Sequence, residues 1–478
     1  MKVIGRIKEI EMLESLYKSE SAEFVAVYGR RRVGKTFLIK ELFKDRFAFW
    51  HTGVSPYDNN KKGLMSDQLR EFHYSLMEYG YKNRSVPTNW IDAFHQLQEL
   101  LESKDTGKRM VVFIDELPWM DTARSKFIPA FEHFWNGWCN KHDNVMLIVC
   151  GSATSWIKDN LINNKGGLYD RVTKEIKIHP FTLQECEMLF KSKGIAMSRY
   201  DIVNAYMLFG GVPMYLNAFE KGLSVAQNID NILFSKSATL KFEFDRLFKS
   251  LFKNGEQYQN VVRFLATNRS GYTRQDIIDG AKLKNGGDVT DMLKALEASD
   301  FVRSYVPYGN SKRVKYKLSD NYCLAYLHFV DRKKVMDEHF WENKNAPPEL
   351  NAWRGIAFED VCFNHIRQIK KALGVQSVHT TEQPLVILDS KGKREAQIDM
   401  VIVRDDNVVN VCEMKFYGKP FVIDKKYEME LRERVVSIAE TLKRTQTAHL
   451  TFITSFGVSD NEYSSIVQKS VVMDALFE

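Results

Sequence analysis

The stretch FVAVYGRRRVGKTFLIKELF, residues 24–43, constrains this chain more than any other. Phe24 to Tyr28 is a short buried-strand pattern, and Thr36 to Phe43 continues with helical spacing. Between them, Gly29 to Thr36 matches GxxxxGK[ST] in the strand–loop–helix setting that the motif requires. Glycines let backbone N–H groups face a phosphate, and the following helix N-terminus adds its positive end. The candidate binding run is Gly29, Arg30, Arg31, Arg32, Val33, Gly34, Lys35, Thr36 and Phe37. In it, Lys35 neutralises β- and γ-phosphate charge and the Thr36 hydroxyl ligates Mg2+.

A phosphate loop of this kind needs a carboxylate for its metal. RMVVFIDELPWM supplies one: an apolar strand from Met110 to Ile114 ends in Asp115 and Glu116. Asp115 is placed to hold the magnesium shell, and Glu116 to orient and deprotonate an attacking water. An acidic pair at a strand end also serves as a helix cap, but the upstream loop favours the catalytic reading. A third apolar strand, NVMLIVCGSATSW, ends at Gly151–Ser152. Ser152 is either a sensor of the γ-phosphate or an ordinary turn serine. RFAFWHTGV (46–54) reads as a further strand, which suggests the ATPase branch with a strand between the two motif strands.

GRRRVGKT, FIDELPW, GSATSW, GGLYDRV and FGGVPMYL, in that order, resemble the archaeal-type AAA ATPases of the signal-transduction (STAND-like) P-loop group. The opening IGRIKEIEML is similar to that family's Gly-Arg segment near the adenine. The resemblance covers the first half of the chain and implies ATP and Mg2+ as ligands. It also implies a nucleotide-sensing role for Arg171 and a lid contact near the base at Pro213. Residues 180–235 carry the helical periodicity of such a lid. From the residues alone, Gly then Pro is also a plain helix stop.

At 478 residues, two to four domains are expected. The net charge of +7 is too mild to argue for nucleic acid by itself. The six cysteines are scattered without CxxC or metal-finger spacing, as reduced core residues are. With no secretory signal and no apolar run of membrane length, the expected setting is cytoplasmic, with no membrane contact. The division expected is 1–235, a P-loop AAA-type ATPase with helical lid; 236–335; and 336–478.

Residues 236–335 read as three helices and a β-ribbon, the order of a winged helix-turn-helix. With Val289, Met292, Leu293 and Leu296 inward, the third helix shows Asp288, Thr290, Asp291, Lys294 and Glu297 outward, a face more acidic than basic that phosphates repel. The ribbon carries Lys312, Arg313, Lys315 and Lys317. It either grips a DNA backbone or is a solvated hairpin on a protein-binding domain.

Residues 336–478 begin with a linker whose paired prolines break helix. A helix carrying Glu359 follows, then the hairpin QIDMVIVRDDNVVNVCEMKF, a helix, an apolar strand and a last helical stretch. If the turn is symmetric about Asp406, Asp399 faces Glu413 across a covered sheet, and like charges so placed repel. Mg2+ or Mn2+ resolves that conflict, with Lys415 on the same face. The layout resembles the PD-(D/E)xK nuclease superfamily: Asp399 and Glu413-Met414-Lys415 match its core, and Glu359 its helical acid. Ile398 stands where proline is usual. The resemblance implies metal-assisted phosphodiester hydrolysis.

The expected fold is therefore multidomain α/β: ATPase with lid, winged helix-turn-helix, and α/β/α nuclease-like domain. The expected function is an ATPase controlling a nuclease-like domain on DNA. The alternative is a nucleotide switch or scaffold whose C-terminal domain binds a protein or nucleic acid without cutting. Homo-oligomers stay open.

Overall fold

Strands from the N-terminal part are apolar on both sides, which only a parallel sheet covered by helices accommodates. The computed structural model describes the chain except residues 1, 56–64, 309–312, 332–336, 344–347 and 389–393. It also omits the side chains of 348–349, 386–388, 394–397 and 399. The chain forms two compact units: residues 1–180, 245–258 and 294–300, and residues 181–244, 259–293 and 301–478. Among the described residues, no helix is long and apolar enough to cross a membrane.

The first unit holds a five-stranded parallel sheet of β1 (Glu23–Tyr28), β2 (Phe47–Thr52), β3 (Met110–Asp115), β4 (Val145–Gly151) and β5 (Lys174–Lys177), in the order β2-β3-β4-β1-β5. Alternate residues feed two cores. Phe24, Ala26, Val112, Ile114, Leu147 and Val149 face an aromatic cluster with Phe94, Phe131 and Trp135. Val25, Val27, Val111, Phe113, Ile148 and Cys150 face Leu38, Ile39 and Phe43 of the helix Lys35–Phe43. The strand between the two motif strands is thus β4, which ends just before Ser152, while the 46–54 segment forms an outer edge. β5 escapes a sequence reading because it is four residues long and buries only Ile176.

In the second unit, helices Leu183–Ser192, Arg199–Phe209, Pro213–Leu216 and Val225–Ile229 occupy the stretch read as a lid. The next part contains β6 (Tyr272–Thr273), β7 (Val302–Tyr305) and β8 (Lys315–Leu318), a small antiparallel sheet in the order β6-β8-β7. The helices nearest in sequence are Gly255–Leu265, Arg274–Gly280 and Gly287–Ala298. Val289, Met292, Leu293 and Leu296 are buried, while Asp288 and Asp291 are exposed.

The ribbon corrects one expectation. Lys317 does not stand free for a duplex: its Nζ lies 3.0 Å from Asp360, which also takes Arg269 at 3.0 Å. Asp360 is buried, and these two cations hold its pKa below the usual carboxylate value against the opposing effect of burial. Arg303, opposite Lys317 in the register, donates to Asn364. Arg313 is exposed, and Lys312 lies outside the described residues.

The C-terminal sheet contains β9 (Thr380–Leu388), β10 (Arg394–Arg404), β11 (Val408–Lys415), β12 (Thr447–Thr454) and β13 (Lys469–Val472), ordered β13-β12-β11-β10-β9. β9, β10 and β11 are antiparallel neighbours, and β11, β12 and β13 run parallel. Met400 pairs with Cys412 and Val403 with Val409, the register of a turn symmetric about Asp406. Two segments differ from expectation. Pro348 does not break a helix but begins one, Pro348–Asn364, because a first-turn proline lacks only an N–H that has no partner there. The final stretch is β13 plus a 3-10 turn, Met473–Phe477, where a last helical stretch was expected.

Candidate active site

The loop between β1 and the helix Lys35–Phe43 needs backbone geometry that few residues tolerate. Gly29 has φ 142° and Gly34 φ 88°. A Cβ on Gly29 would lie 2.2 Å from the Ile178 carbonyl oxygen, so only glycine fits against the segment leaving β5. Arg32 also adopts positive φ, 75°. The Arg30 side chain is buried and donates to the Arg31 carbonyl; Arg31 and Arg32 are half-buried, and Phe37 is exposed. Lys35 folds back into its own loop. Its buried Nζ donates to the carbonyls of Gly29 at 3.0 Å and Arg30 at 3.1 Å, spanning the hollow of the loop.

The loop and β3 meet at Thr36. Its Oγ1 donates to Asp115 Oδ2 at 2.9 Å, while Asp115 Oδ1 accepts from the Glu116 N–H at 3.0 Å. Asp115 is 3 % exposed. Burial, then the charge of Glu116, raise its pKa, while Thr36 and Lys35 oppose the rise. A divalent cation favours the charged form of such a carboxylate, and a hydroxyl with one carboxylate suits Mg2+, which keeps most of its waters.

Glu116 turns out of the strand in the left-handed region, φ 47°. That turn aims its carboxylate at the neighbouring strand tip. Ser152 donates from its N–H to Oε2 at 3.1 Å, and its hydroxyl lies 3.0 Å from each carboxylate oxygen. Two close approaches fix the geometry. A Cβ on Gly53 would sit 2.8 Å from the Glu116 carbonyl oxygen, and one on Gly151 would sit 2.8 Å from Pro118 Cδ. Lys35, Thr36, Asp115, Glu116 and Ser152 thus converge where β1, β3 and β4 end.

A second cluster lies on β11. Glu413 is 2 % exposed and each of its oxygens has a partner. Oε1 accepts from Arg434 Nη1 at 2.8 Å; Oε2 accepts from Tyr427 Oη at 3.0 Å and lies 3.3 Å from Lys415 Nζ. Burial, then the charge of Glu413, push the Tyr427 phenol up to about 12. Two cationic side chains, Arg434 and Lys415, thus partner Glu413. The side chain of Asp399 lies outside the described residues. The helix bearing half-buried Glu359 meets Phe416, just past the end of β11, through Phe358. Arg434 and Tyr427 escaped the sequence reading; they lie 21 and 14 residues from Glu413, and only docking of the helix Lys425–Thr441 brings them to it.

Residues 4–219 match the model of a family described as an ATPase domain predominantly from Archaea. This part of the chain is similar to that family. Two proteins of Methanocaldococcus jannaschii are similar to it. One, an uncharacterized protein, is 23 % identical over 372 residues, covering 77 % of this chain and 78 % of its own. The other, an uncharacterized ATP-binding protein, is 21 % identical over 337 residues, covering 59 % of this chain and 91 % of its own. Among solved structures, a Walker-type ATPase of Pyrococcus abyssi is similar with TM-score 0.49 and 17 % identity, over 68 % of this chain and 96 % of its own.

Within residues 4–219, Arg6 is the arginine of the Gly-Arg segment that the sequence placed near the adenine. It sits 5 % exposed, and its Nη2 donates to the Val33 carbonyl at 3.2 Å, bracing the loop from the N-terminal segment. Its signal was the Gly-Arg pair before a helix. Arg171 is exposed, and only its backbone N–H, which donates to the Leu168 carbonyl, makes a bond among the described residues. Pro213 begins the helix Pro213–Leu216. Beside it, the Phe181 N–H donates to the Gly211 carbonyl, and a Cβ on Gly211 would lie 1.8 Å from the Phe181 carbonyl oxygen. The GGVP run is therefore a packed junction of the helical segment.

Proposed function

We propose that the ATPase domain hydrolyses ATP with Glu116 as the base, and that the chain uses this cycle as a conformational switch. The Ser152–Glu116 pairing carries the reading, because it fixes a carboxylate beside the Thr36–Asp115 pair. Lys35 supplies positive charge for the β- and γ-phosphates, and the loop N–H groups orient them. Thr36 and Asp115 are the residues to hold Mg2+, which supplies charge neutralisation at the phosphates. Ser152 holds the Glu116 carboxylate so that it can align a water and accept its proton. Glu116→Gln is expected to bind ATP with little change and to lower turnover by about a hundredfold to a thousandfold. Phosphate release with parallel nucleotide-binding titrations measures both; retained turnover removes Glu116 from the base role. Arg171, solvent-exposed, fits a sensing role toward a neighbouring subunit's nucleotide, which an assembly would require.

The division at 235 and 335 belongs to the same proposal, with a winged helix-turn-helix in the middle part and a nuclease-like sheet at the end. The helix–three-strand–helix–strand order and the Lys415–Glu413 contact support the nuclease-like fold. The compensation of Glu413 by Arg434 and Lys415 favours a module that binds a protein or nucleic-acid partner without cutting. With Mg2+ or Mn2+, with and without ATP, wild type is expected to nick supercoiled plasmid no faster than Glu413→Ala. Metal-dependent nicking lost in that variant overturns this and restores Glu413 and Lys415 as catalytic residues.

A further inference from the structure

Asp230 opens the turn Asp230–Phe234 at the end of the helical segment and is 2 % exposed. Its Oδ1 accepts from the Trp341 N–H at 2.8 Å and its Oδ2 from the Glu342 N–H at 3.0 Å. Each oxygen keeps a further lone pair. Among the described residues, no lysine or arginine forms an ion pair with this carboxylate, and a buried carboxylate without a counter-ion is costly. His339 and Glu342 stand beside it. One ligand atom from each of the three residues lies within 4.8 Å of the others, and His339 Nδ1 is 2.8 Å from Glu342 Oε2.

The ligand-bearing segment is held firmly. Phe340 meets Phe234 with ring centroids 5.0 Å apart, and Trp341 meets Phe329 at 5.7 Å. Nearby, Glu338 pairs with Lys236 at 3.0 Å. Asp230 and the 338–342 segment are therefore fixed toward each other before any ion arrives, which lowers the ordering cost of binding. His339 is 79 % exposed on its side chain, so the cluster opens to solvent.

We infer that Asp230, His339 and Glu342 form a binding site for a divalent first-row transition metal. One imidazole nitrogen and two carboxylate oxygens match Zn2+, with water completing the shell, and the imidazole disfavours Mg2+. The ion ties the end of the helical segment to the residues that precede the helix Pro348–Asn364. It is independent of the nucleotide site, and its test uses no turnover measurement.

The experiment compares full-length, chelator-stripped wild type with a His339→Ala/Glu342→Gln double variant, without nucleotide. Both substituted side chains are partly exposed or more, and Asp230 is kept so that its backbone bonds survive. Calorimetric titration with Zn2+ is expected to show one equivalent more in wild type. Zn2+ is expected to raise the Tm of wild type beyond that of the variant, and Co2+ to give visible absorption bands in wild type alone. Equal stoichiometry and equal Tm shifts overturn the site. A variant that melts like metal-free wild type yet still loses the equivalent separates ligand loss from misfolding.

Discussion

Lys35→Ala is expected to lower ATP turnover by about a thousandfold, the scale of removing a preorganised charge from phosphoryl transfer. The geometry explains the size. Lys35 Nζ is already seated between the Gly29 and Arg30 carbonyls, so its charge needs little reorganisation when the phosphates enter. Alanine also leaves those two carbonyls without this donor, at a cost of roughly 1–3 kcal/mol each where water cannot replace it. Phosphate release assays give the rate, and a melting curve on the same preparation shows whether the fold survives. Wild-type turnover in a folded Lys35→Ala protein would falsify the assignment of this loop as the nucleotide site.

Acid is expected to weaken the second unit through His365, with the effect beginning near pH 6.5. This histidine lies at the break between the helices Pro348–Asn364 and Ile366–Ala372, and it is fully buried. Its Nδ1 bonds the Val361 carbonyl at 2.8 Å, and its Nε2 accepts from the Leu183 N–H at 3.0 Å. Burial lowers its pKa from 6.5 to about 4, and the Val361 bond offsets only part of this. Above pH 6.5 both folded and unfolded forms are neutral, so the folded state keeps its full stability. As pH falls from 6.5 toward 4, the unfolded chain takes a proton that the folded chain refuses. Stability then drops by about 1.4 kcal/mol per pH unit, roughly 3 kcal/mol over the window. His365→Gln, unable to titrate, is expected to flatten that slope. Urea unfolding of both proteins at pH 7 and pH 5 measures it; equal pH slopes sink the assignment. His51, whose pKa burial lowers to about 3, adds an acid response common to both proteins, so it cancels in the comparison.

The limits of the sequence reading follow from how far apart interacting residues lie. Lys35 and Thr36 sit inside one local motif, and Asp115 and Glu116 end a strand whose apolar pattern marks it. Ser152 was legible as a strand-tip residue, but its bonds to Glu116 depend on β4 lying between β1 and β3. The hairpin register was legible too, because a symmetric turn and period-two alternation define it. The charge balance around Glu413 was not. Its neighbour Lys415 was visible, whereas Arg434 comes from a helix whose docking angle no local pattern encodes. The same applies to Lys317. Its place on a basic ribbon suggested either a duplex contact or a solvated hairpin, and only the packing of the helix Pro348–Asn364 shows that its partner is Asp360.

By itself the sequence determined the phosphate loop, the acidic strand end and the apolar strands. Each rests on backbone geometry and periodicity within a few residues. The tertiary structure alone decided which polar and charged groups meet: Ser152 with Glu116, Arg434 with Glu413, Lys317 with Asp360, His365 with the Leu183 N–H. Electrostatic partnership depends on distance in space and on burial, and neither is written in the spacing of residues along a chain.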